Sequence, residues 1–164
     1  MSSARSKRGP GSQGIPYVSA MLRAAYHERR RRMLEALTER GFDDVNEAHF
    51  ALFQLPPPDG ERPSDLARRN GMSKQAMNHL LGQLEKLGYL ERRRERPDSH
   101  PTVQLTDRGW RVMESNINTM LELEADWERQ LGKRRFAELK AALYDLTKTE
   151  LAAKKSLAGW GPAK

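Results

Sequence analysis

PSDLARRNGMSKQAMNHLLGQLEKLGYLERRR, residues 63–94, is the stretch on which the fold turns. It reads as two short helices around a sharp turn, running directly into a basic strand. Pro63 stands at the start of the first, where a missing N–H costs nothing. That helix spans 63–69, and Gly71 breaks it. Ser73 is a good N-cap for a second helix from Lys74 to about Leu87, which carries Ala76, Met77, Leu80, Leu81 and Leu84; Gly88 is placed as its C-cap. The spacing of Ala67, Gly71, Met77 and Leu80 is what a helix-turn-helix needs. A small side chain at Ala67 lets the second helix approach the first. Gly71 supplies the tight turn with positive φ. Met77 and Leu80 point inward and lock the crossing angle. The face left over presents Lys74, Gln75, Asn78 and His79, all polar and all able to reach base edges.

Working outward, Leu90–Leu105 holds a basic run, a turn at Pro97-Asp98-Ser99-His100-Pro101, and Thr102-Val103-Gln104-Leu105 in strand-like alternation. This predicts a small β-hairpin, so the helix-turn-helix is a winged one. Thr106 then caps a long helix from Asp107 to about Leu131, with Met113, Ile117, Met120 and Trp127 as its apolar members, and Gly132 interrupts it. A last helix carries Phe136, Leu139, Leu143 and Leu146, a heptad-like seam suited to packing on another helix. Upstream, apolar residues at helical spacing predict a helix from Ile15 to Leu37, ended by Gly41. A short helix is expected over 45–54, stopped by Pro56-Pro57-Pro58-Asp59-Gly60. Residues 1–14 lack any large apolar side chain and are expected to form a disordered basic tail; residues 154–164 are expected to fray.

The 164 residues carry 29 Lys and Arg against 22 Asp and Glu, a net charge of +7. The excess is local. Residues 15–55 are balanced, whereas 56–111 hold eleven basic and eight acidic side chains and the tail adds three more. A basic surplus placed on the helix-turn-helix and hairpin favours nucleic acid over an anionic membrane. Hydrophobic residues are 37% of the chain, so a single copy has a thin core and a partner subunit is expected to complete it. With no cysteine, disulfides, thiolate metal sites and thiol redox sensing are excluded. No apolar run approaches a membrane span and the first residues are not a secretory signal, so a soluble, cytoplasmic protein is expected.

Several segments together resemble the MarR family of winged helix-turn-helix regulators: Pro63-Ser64-Asp65-Leu66-Ala67, Gly71-Met72-Ser73, Leu80 through Arg92, and Val103-Gln104-Leu105-Thr106-Asp107-Arg108-Gly109. The specific likeness covers about residues 62–110. It implies a mainly α fold with a small β-hairpin wing and N- and C-terminal dimerisation helices. It also implies a homodimer on a pseudo-palindromic operator in double-stranded DNA, usually a repressor, released by a small aromatic or anionic ligand. The division that follows is N-terminal helices over 15–55, a DNA-binding domain over 56–110, and C-terminal dimerisation helices over 111–153. His79 occupies a place where the family often has Arg. The wing tip departs from the family's Asp-x-Arg: Asp98-Ser99-His100-Pro101 is one residue shorter and lacks that arginine. Either Arg94 or Arg96 substitutes for it, or the wing touches only phosphates.

The candidate DNA-contacting set is therefore Ser73, Lys74, Gln75, Asn78 and His79 on the second helix, with Arg92, Arg93, Arg94 and Arg96 on the wing. Asn78 and Gln75 are the expected base readers, since each amide bonds an adenine edge through two atoms; the arginines are expected on phosphates. Arg29–Arg32 read as a solvated helix face. Tyr26, His49 and Trp110 are candidates to line a ligand pocket between the dimer helices and the winged domain. The four histidines have no metal-site spacing, and neither a phosphate-cradling loop nor a nucleophile elbow is present, so no metal, cofactor or enzymatic activity is expected. The alternative is a winged-helix module for protein–protein assembly that does not read DNA.

Overall fold

The structure is a computed structural model and describes residues 16–55, 57–94 and 96–153. The expected tails, 1–14 and 154–164, lie outside the described residues. The elements in order are α1 (Val18–Glu39), a 3-10 turn (His49–Ala51), α2 (Pro63–Arg69), α3 (Lys74–Lys86), β1 (Leu90–Arg93), β2 (Thr102–Leu105), α4 (Asp107–Leu131) and α5 (Lys133–Ala153). The mainly α architecture with one antiparallel hairpin is the one expected. No helix among the described residues is long and apolar enough to cross a membrane.

Helix ends follow local chemistry. Ser73 Oγ accepts from the Ala76 N–H at 3.1 Å and Thr106 Oγ1 from that of Gly109 at 3.2 Å, so both predicted caps are in place. Gly71, at φ 63°, makes the turn between α2 and α3. The helix expected over 45–54 is a single 3-10 turn instead. Asn46 is the reason: its Oδ1 accepts from the N–H of Ala48 and of His49, while its own N–H donates to His49 Nδ1. These local bonds replace those that helix propagation would require. Helix α1 begins at Val18 rather than Ile15, which lies outside the described residues.

The core gathers Met33 and Leu37 of α1, Phe50, Leu52 and Phe53, Leu66 and Ala67 of α2, the inner face of α3, and Val112 and Met113 of α4. Burial on α4 runs through Gly109, Val112, Met113, Asn116, Thr119 and Leu123. The expected stripe is thus displaced by part of a turn. Met113 lies inside; Ile117, Met120 and Trp127 are only half-buried on its flank. Small and polar side chains let α1 and α4 come close, with Arg40 donating to Ser115 Oγ at 3.1 Å and Arg32 to Asp126 at 2.6 Å. On α5, among the residues whose side chains are described, only Phe136 is buried; Leu139 is 40% and Leu146 75% exposed.

The hairpin is anchored more deeply than two strands suggest. Residues 59–61 run beside β2: Gly60 N donates to Val103 O at 2.7 Å and Val103 N to Glu61 O at 2.9 Å. Asp59 Oδ1 accepts from the Leu105 N–H at 2.6 Å. At the other edge, Thr106 Oγ1 donates to Gly88 O at 2.7 Å and Thr106 N to Tyr89 O at 3.1 Å. Tyr89, fully buried, donates its hydroxyl to Asp44, while Arg108 stacks over its ring and donates to Asp44 at 2.8 Å. Burial first, and the Asp44 carboxylate second, push the Tyr89 hydroxyl above its ordinary pKa. Wing, α1–α2 connection and α4 are thereby one unit.

Candidate nucleic-acid interface

Helix α3 is amphipathic in the sense the sequence requires. Met77, Leu80, Leu81 and Leu84 are buried, while Ser73, Lys74, Gln75, Asn78 and His79 are all exposed. Ala67 is 2% exposed, at the place where α2 meets α3. Among the described residues the side chains of Lys74, Gln75 and Asn78 have no hydrogen-bond partner, so their full donor and acceptor capacity faces outward. His79 is different. Its Nε2 lies 3.1 Å from Gln83 Nε2 one turn on, so half of its bonding capacity is used within the helix.

The wing arginines separate into two kinds. Arg92 is held by Glu85 of α3: its N–H and Nε donate at 3.2 and 3.1 Å and its Nη2 at 2.6 Å. The Arg92 guanidinium holds the Glu85 carboxyl below the usual carboxylate range, against a smaller opposing effect of burial. Arg93 pairs with Glu91 on its own strand. Among the described residues Arg94 reaches only Pro97 O, at 3.4 Å. The Arg96 backbone N–H is bonded to Ser99 Oγ, which donates to Arg96 O and closes the wing-tip turn. Its guanidinium has no hydrogen-bond partner among the described residues. Each residue of the predicted set is exposed, but two of its four arginines are already matched by carboxylates.

The three candidate ligand residues differ in burial. His49 is buried at 2% exposure, whereas Tyr26 and Trp110 are 45% and 44% exposed. Burial holds the His49 imidazole below its usual pKa. A cavity lies between α1, the 49–55 segment and α4. It measures about 180 Å3 and is walled by Met33, Phe50, Phe53, Met113, Ile117 and Met120, with Arg29, Gln54, Leu55 and Asn116 also on its boundary. The guanidinium of Arg29, on its boundary, sits 5.3 Å from the Tyr26 ring centre. Arg29 Nε and Asn116 Oδ1 are buried and lack hydrogen-bond partners among the described residues. A buried donor and a buried acceptor beside an apolar cavity are groups that a guest molecule would satisfy. Sequence reasoning missed these walls because they come from three separated segments. Only Met113, Ile117 and Met120 share a recognisable spacing.

Residues 60–99 match the family model described as MarR family, which overlaps most of the stretch that carries the resemblance but stops short of Val103–Gly109. A comparison with curated proteins finds no match. Among solved structures, the DNA complex of MepR from Staphylococcus aureus is similar at TM-score 0.61 and 24% identity, over 81% of this chain and 96% of that one. The MarR family protein Rv2887 of Mycobacterium tuberculosis, in complex with DNA, is similar at TM-score 0.59 and 24% identity, covering 80% and 98% of the two chains. The same protein in complex with salicylic acid gives TM-score 0.58 and 22% identity, covering 80% and 97%. The fold is that of the MarR winged-helix regulators.

Proposed function

We propose that this chain is a sequence-specific DNA-binding transcriptional regulator that acts as a homodimer on a pseudo-palindromic operator, represses, and is released by a small aromatic or anionic ligand. The observation that carries the reading is the exposed face of α3: Ser73, Lys74, Gln75, Asn78 and His79 project together over a core-facing row of four buried apolar side chains. A helix so presented beside a basic wing has the shape and donor–acceptor content that the major groove accepts. That MepR and Rv2887 are found in complex with DNA supports it.

The dimer reading rests on what one copy leaves uncovered. Leu139, Tyr144 and Leu146 of α5, Val18, Met21, Leu22 and Tyr26 of α1, and Tyr17 just before it are all at least 40% exposed. A second copy covering these faces buries both at once. The ligand reading is transferred from Tyr26, His49 and Trp110 to the cavity between α1, the 49–55 segment and α4. An apolar cavity of about 150 Å3 admits one benzene ring, and the one here is slightly larger. Arg29 supplies a cation and Asn116 an acceptor, which suits a single-ring acid; Rv2887 is found in complex with salicylic acid and with p-aminosalicylic acid.

The test is selection from a pool of randomised duplexes, followed by titration of the enriched and random duplexes at several salt concentrations. The expected result is an inverted repeat with half-site centres about 10 bp apart, and a steep linear fall of log K with log salt. Salicylate, added to the complex, should release the enriched duplex. A protein that enriches no sequence and shows no salt slope refutes the DNA reading and favours an assembly module.

A further inference from the structure

Strand pairing decides where each wing arginine points. Arg92 is paired with Val103 and Leu90 with Leu105. Partners in an antiparallel pair share a face, and Leu90, Val103 and Leu105 are all buried. Arg92 therefore projects from the inner face of the hairpin, toward α3, while Glu91 and Arg93 occupy the other face or the strand end. At that place α3 offers Glu85, and the carboxylate takes three hydrogen bonds from Arg92, one from its backbone and two from its guanidinium. Among the described residues these are the side-chain hydrogen bonds that join α3 to β1. The remainder of the junction is backbone: Gly88 at φ 76°, with Tyr89 N donating to Leu84 O at 2.9 Å.

We propose that Glu85 is a positioning residue: by clamping Arg92 it fixes the angle between wing and recognition helix and withdraws Arg92 from the DNA-contacting set, leaving Arg94 and Arg96 as the wing's phosphate or minor-groove contacts. The inference rests on the DNA-binding reading above and refines it. A guanidinium already neutralised by a carboxylate displaces few counterions when DNA arrives. If it leaves the carboxylate to reach a phosphate, it exposes a negative charge close to the backbone it has just bound. The clamp instead acts on geometry. Bases and phosphates are contacted by two elements, α3 and the wing, and their joint fit depends on the angle at Gly88. An arginine held at both backbone and side chain resists rotation there better than a single ion pair does.

The experiment is a set of salt titrations on two probes: the duplex enriched by the wild-type protein, and a random duplex of equal length. The proteins are wild type, Arg92→Ala, Glu85→Ala, the double variant, Glu85→Gln, Arg94→Ala and Arg96→Ala, each first checked for wild-type helicity and melting. Loss of one phosphate contact lowers the log–log slope by about 0.9, so Arg94→Ala and Arg96→Ala should each do so per contact on both probes. Arg92→Ala and Glu85→Ala should leave the slope unchanged and weaken the enriched duplex alone, by about fivefold, the ceiling for a partly exposed pair. The double variant should be no weaker than either single one, since both break the same link. Glu85→Gln should fall between wild type and Glu85→Ala. The proposal is overturned if Arg92→Ala lowers the slope on both probes, or if Glu85→Gln tightens binding by freeing a cation. A wild-type protein without salt-dependent DNA binding refutes the DNA reading, and this inference with it.

Discussion

Gly109 and Gly82 are both helical glycines, yet replacing them with alanine should move stability in opposite directions. Gly109 lies in the first turn of α4, where the helix crosses the base of the wing. A Cβ built there would sit 2.1 Å from Tyr89 O and 3.1 Å from Leu105 Cδ2. Tyr89 O is backbone and already accepts from the Thr106 N–H at 3.1 Å, so it cannot swing aside. Helix and wing must separate by roughly 1 Å. Overpacking of this kind costs about 1–3 kcal/mol, and weakening the Thr106 bond adds about 1 kcal/mol. The gain in helix propensity offsets only about 0.5–1 kcal/mol. The net is a loss of about 2 kcal/mol. At Gly82, in the middle of α3, an added Cβ meets nothing within 4 Å, so only the propensity term remains and Gly82→Ala should gain about 0.5–1 kcal/mol. Urea unfolding reads both, at one fixed protomer concentration because dimerisation links stability to concentration. With a slope of about 2 kcal/mol per molar, Gly109→Ala should lower the midpoint by about 1 M and Gly82→Ala should raise it by a few tenths. If Gly109→Ala is neutral or stabilising, the close approach of α4 to the wing is not a constraint and the reasoning fails.

Three further outcomes are expected. Asn78→Ala should cost about 1–3 kcal/mol on the enriched duplex and relax preference at one base pair per half-site, with random DNA unaffected; equal weakening on both would remove Asn78 as a reader. Removing residues 136–164 should leave an unfolded or aggregating chain, because it takes away the Leu139, Leu143 and Leu146 seam; a well-folded monomer at micromolar concentration in sedimentation would refute an obligate dimer. His49 has a folded-state pKa held below that of the unfolded chain, so the unfolded state binds the extra proton first. Its contribution is present above the unfolded pKa and is lost as pH falls from about 6.5 through the lower folded value. Unfolding free energy should therefore drop between pH 7.5 and 5, and His49→Gln should flatten that part of the profile; an unchanged slope would show that His49 is not the titrating group.

Much of the fold was legible because it rests on local chemistry. Ser73 and Thr106 cap helices wherever they stand before an apolar run, and Gly71 turns because its φ is open. Ala67, Met77 and Leu80 were readable for the same reason, since their spacing is fixed by a crossing geometry that few sequences satisfy. The 45–54 segment misled because its apolar residues are spaced for a helix while Asn46 bonds the backbone into a different turn. That competition lies below the resolution of periodicity. The ladder of residues 59–61 along β2 was invisible too: three residues after a proline run carry no pattern, and their partners lie more than forty positions away. On α4 the buried stripe is set by how closely α1 approaches, so Ser115, Asn116 and Thr119 are inside while apolar neighbours sit on the flank.

The candidate site divides along the same line. The α3 face was legible because a helix whose inward residues are known has its outward residues determined. The wing was read as a run of charge, and charge alone does not say which way a side chain points. Parity does: with Val103 and Leu105 inward, antiparallel pairing puts Leu90 and Arg92 inward as well. The register needed for that step follows from the contacts of Thr106 with Gly88 and Tyr89, which tie the far end of β2 to the near end of β1. A run of arginines on a hairpin is thus not one basic patch. Its members alternate between faces, and the inward one, Arg92, is held by the Glu85 carboxylate. The ligand residues were the hardest to place because a cavity is what packing leaves over, and no single segment encodes it. Arg29 and Asn116 line the cavity because α1 and α4 cross where they do, and each keeps a buried polar atom without a partner among the described residues.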